Sequence, residues 1–282
     1  MEIIDLIPDY LWFCRGEHQV DSYLGSSPRF FDHYFTYWGK NRTIDVSLSE
    51  QEIIRRSQMI RRHLTDAEEN FGKFGLKLND ISALLFVGQG RANGHALIDG
   101  EKAIAWYALE TLETDEQMKV FVAHELTHAL QYSLDRESYF QTVAEKNSVS
   151  RQLITEGIAT YLPMKLCGVT EEESLWADTL PQEELQKWMT ACRNGESGLF
   201  RFTLDHFNSS DTRLFLAADP NDIYQFRAGY YVGLKVIEKI IAERSVTPFE
   251  LMHTPMKELV ELGRDALIDL EKKVANKTLP AI

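Results

Sequence analysis

Cysteine is scarce in this 282-residue chain. Cys14, Cys167 and Cys192 are the three, far apart and odd in number. They make no CxxC pair and no disulfide framework, so a reducing compartment is expected. Proline is scarce as well: eight are scattered along the chain, with no Pro/Ser linker between halves. One compact unit is therefore expected, with room for two lobes: helix and sheet over about 1–135, helix over about 136–282. No apolar run approaches the ~18 residues of a membrane span. The first residues carry Glu2 and Asp5 where a secretory leader needs positive charge, so the cytoplasm is the expected location. Positive charge is in deficit too. Thirty Lys and Arg stand against 43 Asp and Glu, a net charge of −13. That balance argues against a nucleic-acid partner. Repeats at solenoid periods are also lacking. What remains, 44% hydrophobic and 26% charged, is an ordinary globular balance that excludes disorder, collagen and coiled coil as the main class.

The elements follow from periodicity. Residues 1–46 are rich in aromatics with poor periodicity and read as a packing arm over the core. Residues 49–74 read as a helix, with Ser49 and Glu52 as a capping box. Its basic run of Arg55, Arg56, Arg61, Arg62 and His63 reads as a solvated face. Residues 83–87 and 102–110 read as strands. The glycines of 88–100 between them read as turn glycines, since the third glycine of a dinucleotide fingerprint and the Gly-Lys-Ser/Thr of a phosphate loop are missing. Helices are expected over 114–134, 150–166, 182–193, 222–243 and about 255–275. The order of helix, strands and a mostly helical second half makes the fold class α+β.

The chemistry lies in the helix over 114–134. Thr114 and Gln117 form its capping box, and Asp115 and Glu116 suit the positive end of its dipole. Two histidines and a glutamate sit among apolar residues and need a partner there. They read His124-Glu125-Leu126-Thr127-His128, the HExxH pattern. Four helical residues rotate ~400°, leaving the two imidazoles ~40° apart and ~6 Å along the axis. Both can therefore reach one zinc ion. Glu125, rotated ~100° from His124, is placed to take a proton from a water molecule rather than to ligate. HExxH alone also arises by chance, as a pair of buried histidines satisfied otherwise. A catalytic zinc site needs three protein ligands. The next inward carboxylate is Glu156, in Leu153-Ile154-Thr155-Glu156-Gly157-Ile158-Ala159. Small Gly157 and Ala159 would let that helix pack close to the His124 helix. Glu145 and Asp135 are the rivals for third ligand. A donor for the tetrahedral oxyanion is also required. Tyr230 and Tyr231 are the candidates. Periodicity groups Tyr230 with apolar Leu234, Ile237 and Ile241, and Tyr231 with polar Tyr224, Arg227, Lys235 and Glu238. Arg227 suits either a substrate carboxylate or a salt bridge. His95, His206 and His253 read as structural or solvated.

HELTH followed by TEGIATY resembles the gluzincin arrangement, in which a Glu on a following helix completes HExxH. The Glu-Gly-x-Ala stretch is similar to the one carrying the third ligand in the aminopeptidase N family. The gap here is longer, however, and the Gly-Ala-Met-Glu-Asn segment that binds a free amino terminus is missing. Over roughly residues 80–240 the chain resembles a family of predicted zinc-dependent proteases, known as a domain of unknown function. GRANGHALIDG, HExxH, EGxA and Arg227-Ala228-Gly229-Tyr230-Tyr231-Val232-Gly233 carry that resemblance. It implies a zincin-like fold, zinc as cofactor, His124, His128 and Glu156 as ligands, and Glu125 as base. It points to Tyr230 where the periodicity points to Tyr231. It also implies that a strand around 97–108 binds a peptide or protein substrate by strand addition. Two further readings fit the same residues: a metal-holding regulatory or binding protein without catalysis, and a zinc hydrolase of a non-peptide substrate.

Overall fold

The computed structural model describes residues 1–44, 48–140 and 142–278. Asp45 and Val46, the end of the expected N-terminal arm, lie outside the described residues. The fold is α+β, mostly helix with one mixed four-stranded sheet. By internal contacts the chain divides into two compact units, Met1–Ser133 and Leu134–Ile282.

The first unit runs β1 (Glu2–Asp5), α1 (Ile7–Cys14), α2 (Val20–Gly25), α3 (Pro28–Tyr37), α4 (Glu50–Lys73), β2 (Ile81–Phe86), β3 (Gly94–Asp99), β4 (Lys102–Ala108) and α5 (Asp115–Leu134). The sheet order is β1-β2-β4-β3. β1 and β4 both run parallel to β2, while β3 pairs antiparallel with β4. β2 is buried at every position, as a short continuous apolar run inside a sheet should be. The aromatic stretch is a strand and three short helices. Helices of 8, 6 and 10 residues show too few turns for their periodicity to register. Their rings meet Phe86 and Trp106 of the sheet, Phe30 standing 4.7 Å from Phe86 edge to face. The buried Tyr23 hydroxyl accepts from the Val87 amide and donates to the Val87 carbonyl, stitching α2 to the end of β2.

The long helix α4 begins where Ser49 accepts from the Glu52 amide at 3.2 Å. Its basic run is not simply a solvated face. Arg56 and His63 are buried. The Arg56 guanidinium donates to the carbonyls of Leu109 and Glu110, and His63 meets Asp115 at 2.8 Å. A long side chain with a charged head can tie down a loop two elements away, which helical spacing does not reveal.

The second unit runs α6 (Val143–Lys146), α7 (Val149–Leu166), α8 (Glu171–Trp176), α9 (Gln182–Asn194), α10 (Glu196–Asp205), α11 (Ala228–Arg244), α12 (Pro248–His253) and α13 (Met256–Thr278). Its centre is the crossing of α7 and α11 at two glycines. A Cβ on Gly157 would stand 2.6 Å from the Gly233 carbonyl oxygen, and one on Gly233 would stand 2.7 Å from that of Leu153. The space that Gly157 leaves is thus filled by α11, not the use expected from its sequence. α13 lies over the pair, with Gly263 against Ile154. α11 starts six residues later than the 222 expected. Arg227 caps it in the left-handed region, at φ 58°, and turns the chain before the helix begins. Among the described residues no helix is long and apolar enough to cross a membrane.

Candidate metal centre

α5 carries the HELTH segment, and its position is set at both ends of its first turn. Thr114 accepts from the Gln117 amide at 3.1 Å, and the Gln117 side chain accepts from the Glu113 amide at 2.8 Å and the Thr114 amide at 3.4 Å. Asp115 at the helix start takes His63 and Arg62 from α4. The helix is therefore fixed to α4 as well as to the sheet. Midway along it, Thr127 is fully buried and returns its hydroxyl to the Ala123 carbonyl at 2.8 Å, so its own polar group is satisfied in the core. Below it, the Tyr107 phenol on β4 donates to the Val122 carbonyl at 3.1 Å.

The two histidines turn towards each other. Their rings are 4.8 Å apart at 79°, and the Nε2 atoms are 3.1 Å apart. Two nitrogens bound tetrahedrally to one zinc at 2.0–2.1 Å stand roughly 3.3 Å apart. The observed spacing is that of two donors converging on one point. His128 also stacks with Tyr132 one turn on, their ring planes inclined by 21°. Ligand atoms of His124, His128 and Glu156 all lie within 4.8 Å of one another, the one such group of three among the described residues. Two imidazoles and one carboxylate are a donor set that zinc takes while keeping a fourth position open. These residues fit the ion, and the group could bind a metal. The rival ligands are otherwise engaged. Asp135 accepts from the Glu137 and Met256 amides, and Glu145 closes the capping box of α6.

Glu125 is 7% exposed and lies against the first residue of β3, its Cγ 3.0 Å from where a Cβ on Gly94 would be. Burial, and after it the nearby Glu125 charge, push the Tyr107 phenol well up.

The expected substrate strand needs correction. Residues 97–108 cover the end of β3, a turn and all of β4. β4 is paired on both sides, so it has no edge to offer. The edge beside it belongs to β3, which lies within the 88–100 segment expected to hold turn glycines. Some of those glycines do turn the chain, Gly90 and Gly100 with φ near +65°. Gly94 instead lies inside the strand. The Asn93 carbonyl accepts from the Ala108 amide. By antiparallel alternation, the backbone groups of Gly94, Ala96 and Ile98 then point to the outer edge.

The two tyrosines fall opposite to their periodicity. Tyr231 is buried, and its hydroxyl donates to Glu196 at 2.7 Å. Burial, reinforced by that carboxylate, raises its pKa far above the ordinary phenol value. Tyr230 is half-buried, with the Arg227 guanidinium 4.1 Å above its ring. Arg227 also lies over Trp176 and donates to the Leu175 carbonyl. The polar grouping fails because Tyr224 and Arg227 precede the helix, and because α11 is buried over most of its circumference. His95 packs 4.8 Å from Trp38 on β3, while His206 and His253 each stack on a phenylalanine of their own helical turn.

The family described as "Predicted Zn-dependent protease (DUF2268)" matches residues 59–261, which include β2 to β4, HELTH, Glu156 and both tyrosines. The chain belongs to this family. No curated protein and no solved structure matches it. Membership of a family described as predicted Zn-dependent proteases supports a metallopeptidase role, and the histidine–carboxylate group could hold the zinc that the description implies.

Proposed function

We propose that this protein is a zinc metallopeptidase that hydrolyses peptide bonds in a peptide or protein substrate. The observation that carries the reading is the grouping of His124, His128 and Glu156, their ligand atoms within 4.8 Å of one another, with Glu125 next to His124 on α5. His124, His128 and Glu156 would hold the ion. When bound, zinc supplies Lewis-acid polarisation to a water molecule and to the scissile carbonyl. Glu125 takes a proton from the attacking water and passes it to the leaving amine. The outer edge of β3 pairs with an extended substrate through Gly94, Ala96 and Ile98. Tyr230 donates to the carbonyl oxygen as tetrahedral charge develops. Tyr231 has no such part, because its hydroxyl is spent on Glu196.

The test begins with zinc content by mass spectrometry and hydrolysis of a broad peptide library. Wild type should hold one zinc and cleave peptides, while His124→Ala and Glu156→Ala should lose both properties. Zinc binding without cleavage would point instead to a metal-holding protein or to a hydrolase of another substrate. The tyrosines separate cleanly. Tyr230→Phe should lower kcat on the order of 100-fold, as loss of one oxyanion donor does. Tyr231→Phe should cost about 1 kcal/mol of stability for the lost hydrogen bond, leaving kcat nearly unchanged. Reversed effects on kcat would reassign the donor.

A further inference from the structure

Gly94 is a strand residue without positive φ, so no turn explains it. A glycine inside a strand weakens it and often marks a close approach by another group. Here the approaching group is Glu125. An ideal Cβ on Gly94 would stand 3.0 Å from Glu125 Cγ, 3.6 Å from its carboxyl carbon and 2.9 Å from the Trp106 carbonyl oxygen. Gly94 lies directly opposite Tyr107 in the β3–β4 ladder. Paired residues share a face of the sheet, and Tyr107 reaches the backbone of α5 at Val122. A large residue therefore props the metal helix off the sheet, and beside it the missing side chain leaves a slot one carboxylate wide.

We propose that Gly94 is a positioning residue for Glu125. The slot lets the Glu125 side chain lie flat on the start of β3, next to the outward-facing backbone of the strand. A Cβ at position 94 would push the carboxylate out of line, since its three nearest atoms belong to Trp106 and Glu125. The catalytic part of this proposal rests on the reading of Glu125 as the base, whereas the contact itself does not.

Two arms test it on the whole chain. In the zinc-loaded enzyme, Gly94→Ala should lower kcat on the order of 100-fold, the effect of an ångström of misplacement. KM and zinc content should stay near wild type. In the metal-free protein, thermal melting is measured for Gly94→Ala, Glu125→Ala and the double variant. Alanine lacks Cγ, the Glu125 atom nearest the added Cβ. The double variant should therefore gain more over Gly94→Ala than Glu125→Ala gains over wild type. An unchanged kcat in Gly94→Ala overturns the positioning role. Additive melting shifts overturn the contact itself and place the strain at the Trp106 carbonyl instead. A wild type that cleaves no peptide ends the peptidase reading, and the melting cycle alone then decides whether Gly94 makes room for Glu125.

Discussion

Glu125→Gln should abolish almost all peptide hydrolysis, by about 10³-fold in kcat, while the protein keeps its zinc. General-base catalysis is worth on the order of 10²–10⁴-fold, and 10³-fold corresponds to roughly 4 kcal/mol of transition-state stabilisation. The amide matches the carboxylate in size and fits the same slot against Gly94. The two histidine Nε2 atoms meet each other at 3.1 Å, and the neutral amide leaves both imidazoles in place to hold the ion. Loss of activity with metal retained thus separates the base from the ligands. His124→Ala would lose both together. A Glu125→Gln protein that binds zinc and still cleaves at the wild-type rate would remove Glu125 from the mechanism and take the role of Gly94 with it.

Gly157→Ala should destabilise the second unit by about 3 kcal/mol, at the upper end of what overpacking costs. The added carbon would meet the Gly233 carbonyl oxygen at 2.6 Å and its carbonyl carbon at 2.7 Å. Both are backbone, so no rotamer change relieves the clash and the helices must move apart. The better helix propensity of alanine returns only about 1 kcal/mol. In a unit of this size the melting temperature should fall by roughly 6–12 °C. Because Glu156 precedes Gly157 on α7, zinc affinity should fall as well. Gly72→Ala in α4 is the control: a Cβ there meets nothing within 4 Å, and stability should hold or rise by up to about 1 kcal/mol. Equal melting of Gly157→Ala and wild type would show that the α7–α11 crossing is not tight.

The histidine pair that could hold a metal was legible because its information is local. HExxH needs only the pitch of one helix to bring two imidazoles together, and Thr114, Asp115 and Glu116 mark where that helix starts. Glu156 could be picked out as a carboxylate among Ile154 and Ile158, although the partner that Gly157 makes room for could not. Tyr230 and Tyr231 show the limit. Periodicity sorts residues by polarity, yet Tyr231 is buried because Glu196 on α10 receives its hydroxyl, and no pattern within one helix contains that fact.

The sequence by itself determined the α+β class, the course of the long helices and the spacing that sets two imidazoles and a glutamate close together on α5. Each depends on spacing along one helix or on composition, which the chain carries whatever it packs against. Tertiary structure alone decided that β3 rather than β4 is the edge strand, that Arg56 and His63 are anchors rather than a solvated face, and that Gly94 and Gly157 are points of close approach. Sheet order, the reach of a long side chain and the space left by a missing one depend on what comes to lie opposite, and residues far apart in the chain supply it.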